Sequence, residues 1–159
     1  MAEEIEHLYE YEDAEEGDAA PSMEFHITSD AISLYADAVR NPNPTYQRPR
    51  EAQIAPPTMV YTFAPMRRGA VINTKGYVAP EQSKLNPRST PFVNSHIQFF
   101  QPVHTGDVIS SISQVGEKYE RRGNQFISFY ITATNQRGEK VAQYTYTCLW
   151  RYGKNRPQS

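Results

Sequence analysis

The chain has a single cysteine among its 159 residues. No intrachain disulfide can form, which excludes the stapled framework of small secreted domains. Cys148 falls inside an alternating apolar run and reads as a reduced core thiol. There is no stretch of about 18 apolar residues, the length that a membrane-spanning helix needs. The first 18 positions hold no Lys or Arg, where a secretory or organellar leader would be basic. Neither membrane insertion nor export is indicated, and the expected location is the cytoplasm. Histidine is scarce as well. His7, His26, His96 and His104, taken with Cys148, have spacings that match no metal site. Hydrophobic residues make up only 38% of the chain, so the core must draw on a small set of positions. The 12 prolines point to long ordered loops around one domain.

The formal net charge of −2 hides an asymmetry. Nine of the 18 acidic residues lie in the first 18 positions, which leaves residues 19–159 with 16 basic residues against 9 acidic. A basic body suits a nucleotide, a phosphorylated cofactor or nucleic acid; a solvated surface with an acidic tail explains it equally well. Residues 1–20, with Leu8, Tyr9 and Tyr11 among the acids, are expected to be an extended or partly disordered lead-in lying against the body or a partner. Residues 21–153 read as a single domain and 154–159 as a tail.

The stretch from Ile54 to Arg68 organises that domain. Pro56 and Pro57 suit a first helical turn, and Met59, Val60, Tyr61, Phe63 and Ala64 then show no polar face, so the helix must be enclosed. Pro65 should kink or stop it after about two turns. Upstream, Met23 to Thr28 alternates like a short strand. A helix over 30–40, capped by Ser29 or Asp30, would carry Ile32, Tyr35, Ala36 and Val39 on one stripe before Asn41-Pro42-Asn43-Pro44 ends it. Residues 41–53 and 70–91 read as irregular loops. Four strand-like runs follow, over 92–103, 108–119, 125–135 and 139–152, joined by short turns. In the last, Ala142, Tyr144, Tyr146, Cys148, Trp150 and Tyr152 point one way. Consecutive strands with short connections predict an antiparallel meander with one apolar face, and such a sheet must wrap something. The expectation is an α+β hot-dog fold, a curved sheet around a central helix, whose protomers pair edge to edge.

Three motifs carry a family resemblance over about four fifths of the chain, from Met23 to Trp150. They are Ala55-Pro56-Pro57-Thr58, His96-x-x-Phe99-x-x-Pro102-x-x-x-Gly106-Asp107, and Lys118-Tyr119-Glu120-Arg121-Arg122-Gly123. They resemble the MaoC-like hydratases and dehydratases, and most closely the N-terminal, first-half type of fatty-acid synthase dehydratase regions and two-component acyl-thioester dehydratases. The resemblance implies hydration of a trans-2-enoyl thioester or the reverse dehydration of a 3-hydroxyacyl thioester. The acyl group is carried on coenzyme A or acyl carrier protein, with no metal or redox cofactor. That chemistry needs a base for water, an acid for the alpha carbon and a donor to the thioester oxygen. Members supply acid and base from Asp-x-Asn-Pro-x-His in the loop after the first helix.

Here the loop reads Asn41-Pro42-Asn43-Pro44-Thr45-Tyr46. Asn43-Pro44 matches, but Asn41 stands in place of the acid and Tyr46 in place of the histidine. An asparagine exchanges no proton at neutral pH, and a tyrosine of ordinary pKa near 10 is poorly matched to the task. The expectation is a subunit without its own dyad. It would shape the acyl pocket through Asn43, Pro56, Thr58, Tyr61 and Phe63 beside a second hot-dog chain that bears Asp-x-Asn-Pro-x-His. His96 is a secondary catalytic candidate, read first as a structural strand residue. Lys118, Arg121 and Arg122 at one hairpin, and Arg67 and Arg68 after the helix, are candidates for the coenzyme A phosphates. Arg67 and Arg68 would otherwise favour the negative end of the helix dipole. Two alternatives rank below this. One is an active homomeric hydratase or hot-dog thioesterase using His96 or Asp37, and the other a basic nucleic-acid-binding module, for which no motif is present.

Overall fold

The computed structural model describes residues 5–46 and 53–153. The sequence-derived tail over 154–159 and the middle of the 41–53 loop lie outside those residues. Five strands form one antiparallel sheet: β1 (Met23–His26), β2 (Phe92–Phe99), β3 (Val108–Arg121), β4 (Asn124–Thr134) and β5 (Lys140–Arg151). Their order is β1-β3-β4-β5-β2. Only β3, β4 and β5 make a simple meander. The expectation that β2 neighbours β3 is corrected here, because β2 pairs with β5 at the far side of the sheet. The connection over 100–107 crosses the sheet end, where Ala55 donates its N–H to the Val103 carbonyl at 2.7 Å.

Alternation sorts the side chains as the strands require. Ile127, Phe129, Ile131 and Ala133 of β4 are buried with Tyr144, Cys148 and Trp150 of β5, and Ile109 and Val115 of β3 join them. This concave face wraps the predicted helix, which is kinked. A tight turn over Pro57–Met59 runs into α2 (Val60–Phe63), and after Pro65 the chain resumes as α3 (Arg68–Thr74). Met59, Val60, Phe63, Val71 and Ile72 are buried. Two expectations are corrected. The irregular stretch said to begin at Ala70 is helical as far as Thr74. The first half of the kinked helix is enclosed on one side only, since Pro57, Thr58, Tyr61 and Thr62 are exposed.

The first helix, α1, spans Ser29–Ala38 and is capped by Thr28, whose Oγ1 accepts the Ala31 N–H at 3.0 Å. The cap therefore lies one residue earlier than the sequence suggested. Val39 ends the helix and is half exposed rather than part of the buried stripe, which is Ile32, Ser33 and Ala36. Arg40 then takes a left-handed φ of 55°. With it there, Arg40 N–H reaches the Asp37 carbonyl and Asn41 N–H the Ala36 carbonyl, the pair of bonds that closes a helix end.

Of the placements left open for the acidic N-terminus, the body is the one realised. Tyr9 is fully buried, and its carbonyl accepts Trp150 Nε1–H at 3.0 Å. Glu10 pairs with Arg88 and Arg151, Glu12 with Arg151, and Asp18 with Lys75. No helix among the described residues is long and apolar enough to cross a membrane.

Candidate functional site

Between the start of the kinked helix and the ends of β2 and β5 lies a cavity of about 340 Å³. One wall is Ile54, Ala55, Pro56, Pro57 and Phe63, and the other is Phe99 to Val103 with Val141 and Ala142. Tyr46 completes it from the loop after α1. The described lining contains no carboxylate, histidine or amine; its polar side chains are the Tyr46 phenol and the Gln101 amide. A cavity of this size lined by carbon suits an apolar chain or ring.

The sheet and two turns build this place. The Ala55-Pro56-Pro57 motif is fixed by the Ala55 bond to Val103 and by a bridge between Ile54 and His104. The Gly106-Asp107 motif holds the partner strand. Gly106 has a φ of 93°, a conformation that glycine adopts without a Cβ penalty. Asp107 is buried, and its carboxylate accepts the His104 N–H at 2.9 Å and Gln136 Nε2–H at 3.0 Å. That aspartate serves the turn.

The motif loop is also tied to its own backbone. Asn41 Oδ1 accepts the Asn43 N–H at 3.1 Å, and Asn43 Oδ1 accepts the Thr45 N–H at 3.0 Å, two side-chain-closed turns. Tyr46 lines the cavity, whereas Asn41 lines a shallow hollow with Asp37, Arg40 and Pro42. Asn43 is exposed.

Of the other sequence-derived positions, Pro56 and Phe63 line the cavity. Thr58 and Tyr61 do not; Thr58 Oγ1 accepts the Tyr35 hydroxyl at 2.9 Å, and Tyr61 packs edge-on against Tyr144, ring centroids 5.2 Å apart. His96 is exposed on β2 opposite Thr145, on the face away from Phe99. Lys118 Nζ donates to the Tyr11 carbonyl at 3.0 Å and lies over the Tyr11 ring. Arg121 borders a polar hollow on the outer face of the sheet with Asn94, Tyr119 and Tyr130. Arg122, with a φ of 52°, and Gly123 make the two-residue turn between β3 and β4.

Arg67 donates to the Pro21 carbonyl at 2.8 Å. Arg68 donates to Thr90, to Glu81 and to Cys148 Sγ, the last at 3.1 Å. It opens α3 rather than closing a helix, so the dipole argument for it is reversed. Glu81 meets its charge instead. Cys148 is fully buried, and that burial pushes its thiol pKa up despite the nearby guanidinium.

Sequence reasoning missed Phe100, Gln101, Val141 and Ala142 as lining residues. The spacing between Phe99 and Pro102 carried a signal for the first two, but nothing local marks which strand end meets the helix.

No curated protein matches the chain by sequence. Solved structures share its fold. The HadBC (3R-hydroxyacyl-ACP dehydratase) complex from Mycobacterium tuberculosis is 18% identical, with a TM-score of 0.62 over 84% of this chain and 96% of that one. The ChsH1-ChsH2 complex from the same organism is 16% identical, with a TM-score of 0.62 over 89% and 88%. A MaoC-like dehydratase from Rhodospirillum rubrum is 17% identical, with a TM-score of 0.61 over 92% and 97%. These likenesses agree on a hot-dog sheet around a helix, and the sequence itself goes further. The model of the FAS1-like dehydratase domain region matches residues 17–144, most of the kinked helix, the loop and the sheet described above, and the chain belongs to that family of MaoC-like dehydratases.

Proposed function

We propose that this chain is the non-catalytic subunit of a hetero-oligomeric 2-enoyl-thioester hydratase or 3-hydroxyacyl-thioester dehydratase. It shapes the pocket for the acyl tail, and a second hot-dog chain bearing Asp-x-Asn-Pro-x-His supplies acid and base. One observation carries this reading: the cavity beside the motif loop has no group in its described lining suited to exchange protons at neutral pH. The motif loop keeps its backbone bonds while its two chemical positions hold an amide and a phenol. Coenzyme A or acyl carrier protein delivers the acyl group, and the reaction calls for no metal or redox cofactor. The open edge of β2 receives the second chain; Phe92, Val93, Phe99 and Phe100 are between 42% and 51% exposed along it.

The internal pairing of Arg88, Arg151 and Lys75 with the acidic N-terminus weighs against a nucleic-acid module, because those cations already have counter-ions. The test is hydration of a panel of enoyl-coenzyme A thioesters by the chain alone, by its complex with a motif-bearing partner, and by variants. The lone chain should run at background and the complex should be active. Tyr46→Phe in the complex should change KM by no more than several-fold and leave kcat largely intact. Enzyme-like turnover by the lone wild-type chain, abolished by Tyr46→Phe or His96→Ala, would overturn the assignment.

A further inference from the structure

Gln53 is 1% exposed, and a primary amide in that position is costly unless its donors and acceptor are met. They are met by two parts of the chain, α1 and the motif loop. Gln53 Nε2–H donates to the Tyr46 carbonyl at 2.8 Å and to Ser33 Oγ at 3.3 Å, and Oε1 accepts the Ser29 hydroxyl at 2.6 Å. The Gln53 carbonyl accepts the Thr105 N–H at 2.9 Å. One side chain thus ties α1 to the end of the motif loop, and its own backbone ties both to the turn before β3.

Tyr46 feels this on both sides of its Cα. Its N–H donates to the Asn43 carbonyl at 3.0 Å, and its carbonyl is held by Gln53 and by the Ser33 hydroxyl at 3.4 Å. With both flanking peptide groups fixed, the ring can move only through its side-chain torsions. That ring is part of the cavity lining. The two residues following Gln53, Ile54 and Ala55, line the same cavity.

From these contacts we infer that Gln53 is a positioning residue, which holds the Tyr46 ring as a fixed wall of the cavity and thereby sets the length of apolar chain that the cavity accepts. The acyl nature of that chain rests on the proposed function; the clamp and the wall do not.

The experiment titrates the purified full chain with saturated acyl-coenzyme A thioesters of graded length, which bind without turnover. In parallel it uses the apolar dye 1-anilinonaphthalene-8-sulfonate and amide exchange over the 43–46 turn. Gln53→Glu keeps an acceptor for Ser29 but, as a carboxylate, has no proton for the Tyr46 carbonyl. It should speed exchange of the Tyr46 amide at least 10-fold and change the ratio of long-chain to short-chain affinity at least 5-fold. In a double-mutant cycle the effect should vanish when Tyr46→Ala is already present. Ser128, whose Oγ lies 2.8 Å from Thr147 Oγ1 on the outer face, does not line the cavity, and Ser128→Ala, a control for general loosening, should leave the ratio unchanged. If Gln53→Glu does not fold, Ser33→Ala weakens the same clamp and should shift exchange and selectivity in the same direction by less.

Should the wild-type chain, alone and in its complex with a motif-bearing partner, take up the dye and no thioester, the acyl reading fails. The inference is then decided by whether Gln53→Glu alters dye affinity only with Tyr46 in place. Unchanged exchange at Tyr46 in a folded Gln53→Glu variant, or effects of Gln53→Glu and Tyr46→Ala that simply add, would overturn it.

Discussion

Tyr144 carries its hydroxyl to the inside of the sheet, where it donates to the Ala64 carbonyl at 2.6 Å. Ala64 caps α2 at the point where Pro65 breaks the helix, so the carbonyl has no helical partner to fall back on. Burial raises the pKa of this phenol well above its ordinary value, which keeps the donor protonated at neutral pH. Tyr144→Phe removes the donor and leaves a buried acceptor without it. The expected loss is about 1–2 kcal/mol, read by urea unfolding as a lower midpoint with an unchanged slope. Loss of this one bond should loosen the kink without unfolding the sheet.

Among the elements, the N-terminal segment is the one whose role changed most between sequence and structure. Tyr9 fills a core position, with its ring in edge-to-face contact with Tyr77 and Trp150, and the acids after it meet cations of the body. Arg88 beside Glu10, helped by Arg151, holds that carboxyl below its ordinary value of 4.5, and Arg151 does the same for Glu12. A depressed carboxylate contributes stability that is fully present above its unfolded pKa and is lost as pH falls through the folded one. Stability should therefore be flat above about pH 5 and decline below about 4.5. Glu10→Gln should lower stability by about 1 kcal/mol at pH 7, with the difference from wild type closing toward pH 3. Thermal unfolding of the two proteins across that range checks the sign. A gap that widened in acid would remove these pairs from the account.

At the scale of the whole molecule, a five-stranded sheet closes on its helix from one side only. The edge of β2 and the outward face of α2 remain open, and an exposed apolar edge strand invites pairing. If the second chain docks there, Val93→Glu places a charge on the free edge without touching the cavity. It should drive the assembly toward monomers in sedimentation while the isolated chain keeps its fold. A variant that assembled as wild type would move the partner to another face. Phe99 and Phe100 belong both to that exposed edge and to the lining of the cavity.

Much of this was written in local sequence. Period-two alternation fixed the strands β4 and β5 within a residue or two, since each has one apolar face and a one-residue slip would bury its polar side; β3 is less regular, with Ser111 and Ser113 buried and Ile112 exposed. Pro56-Pro57 and Pro65 bounded the first half of the helix through their missing N–H groups, and the substitution of Asn41 and Tyr46 stood in the motif itself. Other features needed the folded chain. The place of β2 beside β5, the helical run over 68–74, the burial of Tyr9 within an acidic segment and the cation pairs that tie that segment down all depend on partners far away in sequence. Gln53 is the sharpest case, because a glutamine in a polar loop reads as solvated. Only when α1 and the motif loop converge do its donors and acceptor find partners, and hydrogen-bond satisfaction is a property of that convergence, which no local pattern encodes.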